Sequence, residues 1–195
     1  MDEAGRGPFA GPVVAAALIL PDQIHLEGLN DSKKLTTNVR LTLNKEIRAN
    51  AVAFGIGQAE VQEIEKINIL QATFLAMKRA VLALQLQPDY ILVDGRDFPV
   101  FEYNGQAVSG RAIIKGDSKS AAIAGASILA KVYRDKIMVD YAVKYPGYGF
   151  EQHKGYGTKM HRQRLLDLGP CPIHRKKFIR KTFEQKQFGG IAIPV

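Results

Sequence analysis

Apolar residues run without interruption from residue 13 to residue 20, directly after a Gly-Pro pair. A continuous apolar run of this length, bounded by turn residues, predicts a strand over residues 11–20 that is buried on both faces. A shorter run at residues 90–93 predicts another buried strand, which ends at Asp94. Residues 112–114 predict a third short strand before a polar stretch.

A different spacing indicates the helices. Over residues 68–86, large apolar residues recur at intervals of three and four, which places them on one helical face: Leu70, Phe74, Met77, Val81 and Leu84. We also expect helices over residues 37–51, 118–143 and 158–168, and a short strand over residues 52–57. This alternation of strands and helices is typical of an α/β layered domain.

The length and composition fit one globular domain in a reducing compartment. The chain has 195 residues, of which 46% are hydrophobic and 24% are charged, enough for a core without covalent cross-links. A single cysteine, Cys171, excludes an internal disulfide framework. The eight-residue apolar run is too short to span a bilayer, and Asp2 and Glu3 precede it where a signal peptide carries basic residues. We therefore expect a cytoplasmic protein.

Positive charge is concentrated near one end of the chain. The formal net charge is +8, and residues 154–186 hold ten Lys or Arg against two acids, whereas the rest is balanced. A neutral body with a basic end favours a polyanionic partner, nucleic acid before membrane. The rings of Tyr156, Phe178 and Phe183 interleave these charges and could stack on bases or sugars. An ordinary solvated basic surface is the alternative.

Carboxylates occur at three places where metal chemistry could use them. Asp2 and Glu3 form a pair, Asp94 ends an apolar strand, and Asp117 stands between a strand and a long helix. Taken singly, each has an ordinary reading as a turn residue, a helix cap or a solvated terminus. Together they are the oxygen ligands that Mg²⁺ and Mn²⁺ prefer, and such ions support phosphodiester cleavage.

Segments covering nearly the whole chain resemble, in order, those of the ribonuclease HII (type 2 ribonuclease H) family: MDEAGRGPFAGPVVAAALIL, LNDSKKL, YILVDG, IKGDSKS, AGASILAKVYRD, YPGYGFEQHKGYGT and PIHRKKF. The resemblance implies a ribonuclease H-like fold, which is a mixed five-stranded sheet with helices on both faces and a helical C-terminal extension. We assign residues 1–145 to the catalytic core and residues 146–195 to the basic helical extension, packed together as a single structural domain.

The resemblance also implies an activity. Members of this family cut RNA within RNA–DNA hybrids, and cut on the 5′ side of single ribonucleotides in duplex DNA, leaving 3′-hydroxyl and 5′-phosphate ends. The family's four catalytic acids, which bind Mn²⁺ or Mg²⁺, fall on these residues: Asp2, Glu3, Asp94 and Asp117. Its Gly-Arg-Gly motif, which reads the ribose 2′-hydroxyl through the main chain, and its junction-sensing tyrosine fall on these: Gly5, Arg6, Gly7 and Tyr156.

Basic side chains in the resembling segments could neutralise backbone phosphates: Lys33, Lys119, Lys131, Lys154 and Arg175. For each one alone, a solvated charge is an equal interpretation. The four histidines lack metal-ligand spacing and are expected to be surface or structural groups. We expect a monomer whose partners are RNA–DNA hybrids and ribonucleotide-containing DNA duplexes, with no membrane partner.

The start of the chain departs from the family pattern. Several residues precede the Asp-Glu pair in the family's central strand, whereas Met1 alone precedes Asp2 here. The resemblance therefore implies a first strand that lacks its beginning, and an α-amino group with a pKa of about 8 that competes with metal for the acids. On this ground, a non-catalytic hybrid- or junction-binding protein is the alternative function. A related nuclease with similar acids, such as a junction resolvase, is a further one.

Overall fold

The computed structural model describes residues 1–22 and 35–187, with side chains described as far as residue 184. Strands and helices follow in this order within the described residues: β1 (Asp2–Ala4), β2 (Val13–Ile19), α1 (Thr37–Asn50), β3 (Ala53–Ala59), α2 (Val61–Leu82), β4 (Ile91–Asp94), β5 (Phe101–Tyr103), β6 (Gln106–Val108), β7 (Gly110–Ile113), a 3₁₀ turn (Gly116–Ser118), α3 (Ala121–Lys144), α4 (Phe150–His153), α5 (Lys159–Leu168) and α6 (Lys176–Gln187). This succession confirms the predicted α/β class.

The central sheet has five strands in the order β3-β2-β1-β4-β7. β1 pairs antiparallel with β2, with Asp2 opposite Ala16, and β2 pairs antiparallel with β3, whereas β4 and β7 are parallel. Met1 joins the two groups, because its amino group donates to the Leu92 carbonyl (2.7 Å) and its carbonyl accepts from the Asp94 N–H (3.0 Å). That pattern is parallel pairing of β1 with β4. The predicted mixed five-stranded sheet is therefore confirmed.

Strand β2 is buried on both faces, as its continuous apolar run predicts. Val13 and Ala15 pack into the core on the side of α2, while Val14 and Ala16 pack into the core formed with α1 and α3. Alternate residues of a strand point to opposite faces, so a strand with helices on both sides needs apolar residues throughout. The predicted placement of helices on both faces of the sheet is thus observed.

Helix α2 begins earlier than the prediction and contains a kink. Its backbone leaves helical geometry at Asn68 (φ 66°, ψ 168°), where the predicted helix was expected to start. The Asn68 Oδ1 atom accepts from the N–H groups of Leu70 (3.0 Å) and Gln71 (3.2 Å), which caps the second segment. The first segment has its own capping box from Glu60 and Glu63. The helix ends at Leu82 rather than at residue 86.

Small residues allow α2 to lie directly on the sheet. A Cβ atom at Gly57 of β3 would stand 2.3 Å from the Ala76 carbonyl oxygen of α2, so no side chain fits there. Met77 and Val81 of the predicted apolar stripe are buried in this contact. The close approach fixes α2 across β3 and β2.

Two short features escaped the sequence prediction. The hairpin β5–β6 has strands of three residues each, too short to show a clear periodicity. Helix α3 starts at Ala121 rather than at residue 118, because the preceding residues form the 3₁₀ turn. Residues 29–34, which belong to the LNDSKKL segment, lie outside the described residues.

The segment that contains α4 and the loop before α6 pack on α3 and the loop after β1 through an aromatic and aliphatic cluster: Ala10, Met138, Tyr148, Phe150 and Ile173. A bridge between Ala10 and His174 also ties the segment before α6 to the loop after β1. The boundary assigned after residue 145 stays a prediction. In both described stretches, every helix is too short or too polar to cross a lipid bilayer.

Candidate active site

Three of the four predicted metal ligands line one cleft of about 220 Å³: Asp2, Glu3 and Asp94. The parallel pairing of β1 with β4 brings them together, since both strands present their carboxylates at the same edge of the sheet. Functional groups commonly gather at the carboxyl ends of parallel strands. Residues 5–7, Lys131 and Tyr156 line the same cleft.

Asp2 is the most buried of these acids, with 6% of its surface exposed. Its Oδ1 atom accepts from the Glu3 N–H (2.7 Å), and its carboxyl group hydrogen bonds to the Ser127 side chain of α3. Burial, and then the neighbouring Glu3 charge, raise the pKa of Asp2 to about 7. Burial and the neighbouring carboxylates therefore make a negative charge on Asp2 unfavourable, and a bound divalent cation would relieve this.

The other acids each have a different partner. Glu3 Oε1 lies 3.3 Å from Arg6 Nη1, and Asp94 Oδ1 accepts from the Gly116 N–H (2.7 Å). Asp117 stands next to Gly116 in the 3₁₀ turn but does not line the cleft. Within residues 1–22 and 35–187, no three His, Cys, Asp or Glu side chains converge as a set of metal ligands.

The donor chemistry of the cleft nevertheless fits a hard divalent cation. Asp2, Glu3 and Asp94 supply carboxylate oxygens, which are the ligands that Mg²⁺ and Mn²⁺ prefer. The contacts given above use one carboxylate oxygen each, Oδ1 of Asp94 and Oε1 of Glu3.

The Met1 amino group is buried where it pairs with β4, and burial lowers its pKa to about 6 despite the opposing influence of Asp2, Asp94 and Glu3. Burial therefore disfavours the positive charge that the sequence prediction assigned to this group. The predicted competition between a protonated amine and a metal ion stays a prediction.

The Gly5-Arg6-Gly7 turn follows β1 and forms one wall of the cleft. Gly5 has a φ of +97°, and a Cβ atom there would stand 2.1 Å from the Nε atom of Arg134. Both its conformation and its close contact with a buried arginine therefore require glycine. The turn presents main chain rather than side chains to the cleft, apart from the Arg6 side chain that contacts Glu3.

Tyr156 also lines the cleft, with 42% of its surface exposed. The Nζ atom of Lys131 is 5.8 Å from the centre of its ring and is also paired with Asp135 (2.6 Å). Burial lowers the pKa of Lys131 below its ordinary value. An exposed ring beside a cation suits stacking on a base or sugar.

The remaining basic residues of the prediction lie elsewhere. Lys119 is exposed beyond the 3₁₀ turn and does not line the cleft, and Lys154 lines a separate groove beside α1 and α3. Lys33 lies outside the described residues. The phosphate contacts predicted for these lysines stay predictions.

The prediction that Arg175 neutralises a phosphate is wrong. Its side chain is completely buried, and its guanidinium donates to the carbonyl oxygens of Gly5, Arg6 and Gly11. A group with no exposed surface and occupied donors cannot reach a phosphate. The basic sequence context suggested a surface residue, but the tertiary packing buries it.

Sequence reasoning missed two residues that bear on the cleft, Ser127 and Arg134 on α3. Ser127 hydrogen bonds to Asp2, and Arg134 donates to three main-chain carbonyls beneath the Gly5-Arg6-Gly7 turn. The small residues of the helix indicated close packing but not these polar contacts. The only available signal was the helical interval of seven residues between them, which places both on one face.

A chain of neutral histidines supports the segment that carries Tyr156. The Cys171 N–H donates to His174 Nδ1 (2.9 Å), so the proton of His174 lies on Nε2 and points to His161 Nε2 (3.1 Å). His161 then donates from Nδ1 to the Tyr156 carbonyl (2.9 Å). Both histidines are buried, which confirms the structural reading and excludes the surface one.

Acid is expected to destabilise the protein through these histidines. Burial lowers the pKa of His161 and of His174 to about 4, whereas unfolded histidines titrate at about 6.5. Between these two pKa values, the unfolded chain therefore binds protons that the folded protein does not bind. Stability is full above about pH 6.5 and falls towards pH 4, by on the order of 1 kcal/mol per histidine at about pH 5.

Thermal melting at about pH 7.5 and about pH 5 measures this effect. His161→Asn keeps a donor near the position of Nδ1 for the Tyr156 carbonyl but does not titrate, so it should lose less stability between the two pH values than the wild-type protein. Equal losses in both proteins would place the acid sensitivity in other groups.

Comparisons with known proteins agree with these features. A sequence model of the family described as Ribonuclease HII matches residues 1–186. Two relatives named Ribonuclease HII are 52% identical over 179 residues (Geotalea uraniireducens) and 55% identical over 178 residues (Delftia acidovorans). Each alignment covers 91% of this chain, and they cover 80% and 74% of the respective relatives.

Solved structures show the same similarity. The ribonuclease H2 from Pyrococcus horikoshii is 28% identical with a TM-score of 0.72, covering 95% of this chain and 96% of that one. A structure of Bst-RNase HIII in complex with Mn²⁺ is 17% identical with a TM-score of 0.65, covering 94% of this chain and 62% of that one. The second likeness concerns the fold alone.

Proposed function

The chain belongs to the ribonuclease HII family and is a hydrolytic endonuclease with ribonuclease H activity, and we propose that it depends on Mn²⁺ or Mg²⁺ and cuts at single ribonucleotides as well as within hybrids. In duplex DNA it cuts on the 5′ side of the ribonucleotide and leaves 3′-hydroxyl and 5′-phosphate ends. The non-catalytic alternative has no support, because the relatives are named as ribonucleases.

One observation carries this proposal. A single cleft is lined by three carboxylates from β1 and β4, by the Gly5-Arg6-Gly7 turn and by Tyr156. The acids suit a metal beside a phosphate, and the glycine-bracketed main chain suits close contact with a sugar. RNA differs from DNA at a given nucleotide through its 2′-hydroxyl. The cleft therefore combines a cleavage site with a means of selecting ribose.

Asp2, Glu3 and Asp94 would hold the metal ions, with Asp117 approaching from the adjoining turn. Two such ions, when bound, supply an activated water and stabilise the leaving oxygen of the phosphodiester. The chain itself positions the substrate: Gly5, Arg6 and Gly7 contact the ribose of the scissile nucleotide through the main chain. Tyr156 stacks on the neighbouring sugar or base, and Lys131 adds positive charge beside the phosphate.

A continuous RNA–DNA hybrid tests the coarse activity and its metal dependence together. We expect cleavage with Mn²⁺ or Mg²⁺, and none with a chelator or on a branched all-DNA junction. Cleavage in the chelator would contradict metal dependence, and cleavage of the branched DNA would favour a resolvase.

The basic end should make binding strongly dependent on salt. Lys176 and Lys177 are exposed at the start of α6, where they can neutralise phosphates. Each phosphate that is neutralised contributes a slope of roughly 0.9 in log affinity against log salt. The double substitution Lys176→Gln/Lys177→Gln should therefore flatten the slope by up to roughly 1.8.

A matched control removes the same charge from another element. Lys66 and Lys78 are exposed on α2, and Lys66→Gln/Lys78→Gln should leave the slope nearly unchanged. Binding of a fluorescent hybrid at several salt concentrations measures both slopes. Equal slopes for the two double variants would move the phosphate contacts away from α6.

A further inference from the structure

Two arginines beside the cleft are buried and form no ion pair with a carboxylate of the described residues. Arg134 of α3 is 1% exposed and Arg175, directly before α6, is 0% exposed. Burying a guanidinium is costly unless its donors are satisfied. Within the described residues, the hydrogen-bond acceptors of both are main-chain carbonyl oxygens.

Arg134 connects two segments beside the cleft. Its Nε and Nη2 atoms donate to the carbonyls of Pro12 and Ala10, both at 3.0 Å, in the loop between β1 and β2. Its Nη1 atom donates to the Lys154 carbonyl, also at 3.0 Å, two residues before Tyr156. One side chain therefore fixes the segment that carries Tyr156 relative to the loop after β1.

Arg175 holds the ribose-reading turn itself. Its Nη2 atom donates to the carbonyls of Gly5 and Gly11, both at 2.7 Å, and its Nη1 atom donates to the Arg6 carbonyl at 3.0 Å. Its Nε atom adds a second bond to Gly11 (2.9 Å). Three carbonyls of one loop thus converge on a single planar group, which lysine cannot reproduce.

These contacts also set the direction of the main-chain donors. In a trans peptide the C=O and N–H groups point in opposite directions. The carbonyls of Gly5 and Arg6 point inward to Arg175, so the N–H groups of Arg6 and Gly7 point away from it, in a turn that lines the cleft. A buried positive charge behind these peptides also strengthens them as donors.

We propose that Arg134 and Arg175 are positioning residues that hold the Gly5-Arg6-Gly7 turn and the Tyr156 segment in the arrangement needed to read one ribose. This inference rests on the proposed function, since it assigns ribose reading to that turn and that segment. The arginines do not touch the substrate themselves. They set the distance between the main-chain donors of the turn and the ring of Tyr156.

Burial, and then the neighbouring Arg134 charge, lower the pKa of Arg175 to about 9. The guanidinium therefore keeps its charge at neutral pH. Two neighbouring positive charges repel each other. The seven hydrogen bonds that the two side chains donate to carbonyl oxygens offset this repulsion. Retaining this pair is consistent with a role in geometry beyond packing.

Arg175→Lys tests the inference, because it keeps the charge and removes the planar set of donors. The readout is kcat and KM on two substrates, a duplex with one ribonucleotide and a continuous RNA–DNA hybrid. A misplaced turn loses the only 2′-hydroxyl of the first substrate, whereas the second offers a ribose in every register. We expect kcat/KM to fall about a hundredfold on the duplex with one ribonucleotide. On the continuous RNA–DNA hybrid we expect it to fall only about tenfold.

Two further variants separate positioning from stability. Leu43→Ala empties part of the core between α1 and α3, away from the cleft, and should lower the melting temperature without changing the ratio between the substrates. Phe178→Leu acts more gently, since the Phe178 ring lies 5.2 Å from the Arg175 guanidinium. It should lower the same ratio by a smaller factor and so gives a result even if Arg175→Lys does not fold.

The outcomes are distinct for the two proposals. If the wild-type protein does not cut the single-ribonucleotide duplex, the proposed function fails and this inference fails with it. A second outcome is that the wild-type protein cuts this duplex, but Arg175→Lys loses activity by the same factor on both substrates, as Leu43→Ala is expected to do. That result, or the same result for the milder Phe178→Leu, overturns only the positioning role.

Discussion

Asp94→Asn is expected to lower cleavage of an RNA–DNA hybrid by about a thousandfold or more, which corresponds to about 4 kcal/mol of transition-state stabilisation. Asp94 lies in the cleft with Asp2 and Glu3, where its charge would bind a divalent ion. The asparagine oxygen can still accept from the Gly116 N–H, as Asp94 Oδ1 does. The fold should therefore remain, and initial rates with Mn²⁺ or Mg²⁺ measure the loss.

A nearby substitution controls for the loss of charge. Asp97 is exposed in the loop after β4 and does not line the cleft, so Asp97→Asn should retain nearly full activity. Hybrid binding in a chelator should persist or tighten in Asp94→Asn, because a charge that repels phosphate is gone. Near-normal cleavage by Asp94→Asn would show that Asp94 is not a metal ligand.

Tyr156→Ala should reduce cutting at a single embedded ribonucleotide more than cutting within continuous RNA. Its exposed ring lines the same cleft as the Gly5-Arg6-Gly7 turn, and loss of a stacking partner costs on the order of 1–3 kcal/mol. That corresponds to a loss of roughly tenfold to a hundredfold in kcat/KM on the single-ribonucleotide duplex. A continuous hybrid depends less on one junction contact.

The matched control for Tyr156→Ala is Tyr90→Ala. Tyr90 is also exposed (53%), but it lies directly before β4, at the end of that strand opposite to Asp94. Its substitution should leave the ratio between the two substrates unchanged. If Tyr156→Ala loses the same factor on both substrates, Tyr156 is a structural residue rather than a sensor of the junction.

The sequence predicts well those strands and helices whose apolar pattern shows which of their faces are buried. The run in β2 required apolar residues on both faces, and the structure provides a core on each side of it. The kink of α2 was not predictable from periodicity, because Asn68 caps a helix segment while the apolar stripe continues across it. The hairpin β5–β6 was missed because each strand is only three residues long.

In the candidate site, too, the sequence predicts features that depend on local pattern and misses those that depend on tertiary packing. Strand ends indicated that Asp2, Glu3 and Asp94 would meet, and the cleft brings them together. Nothing local indicated that Arg175 would turn inward, since it begins a run of basic residues. Its burial depends on carbonyls of the Gly5-Arg6-Gly7 turn, more than 160 positions away in the chain. Such a contact arises only when the extension packs on the core.

A DNA duplex with one ribonucleotide, compared with its all-DNA twin, tests the central claim most directly. With Mn²⁺ or Mg²⁺, the wild-type protein should nick the first duplex once, on the 5′ side of the ribonucleotide, and leave a 3′-hydroxyl end. The all-DNA twin should remain intact, and Asp94→Asn should leave both intact. Failure to nick the ribonucleotide duplex, or equal nicking of the all-DNA twin, would contradict the proposed reading of a single ribose in this cleft.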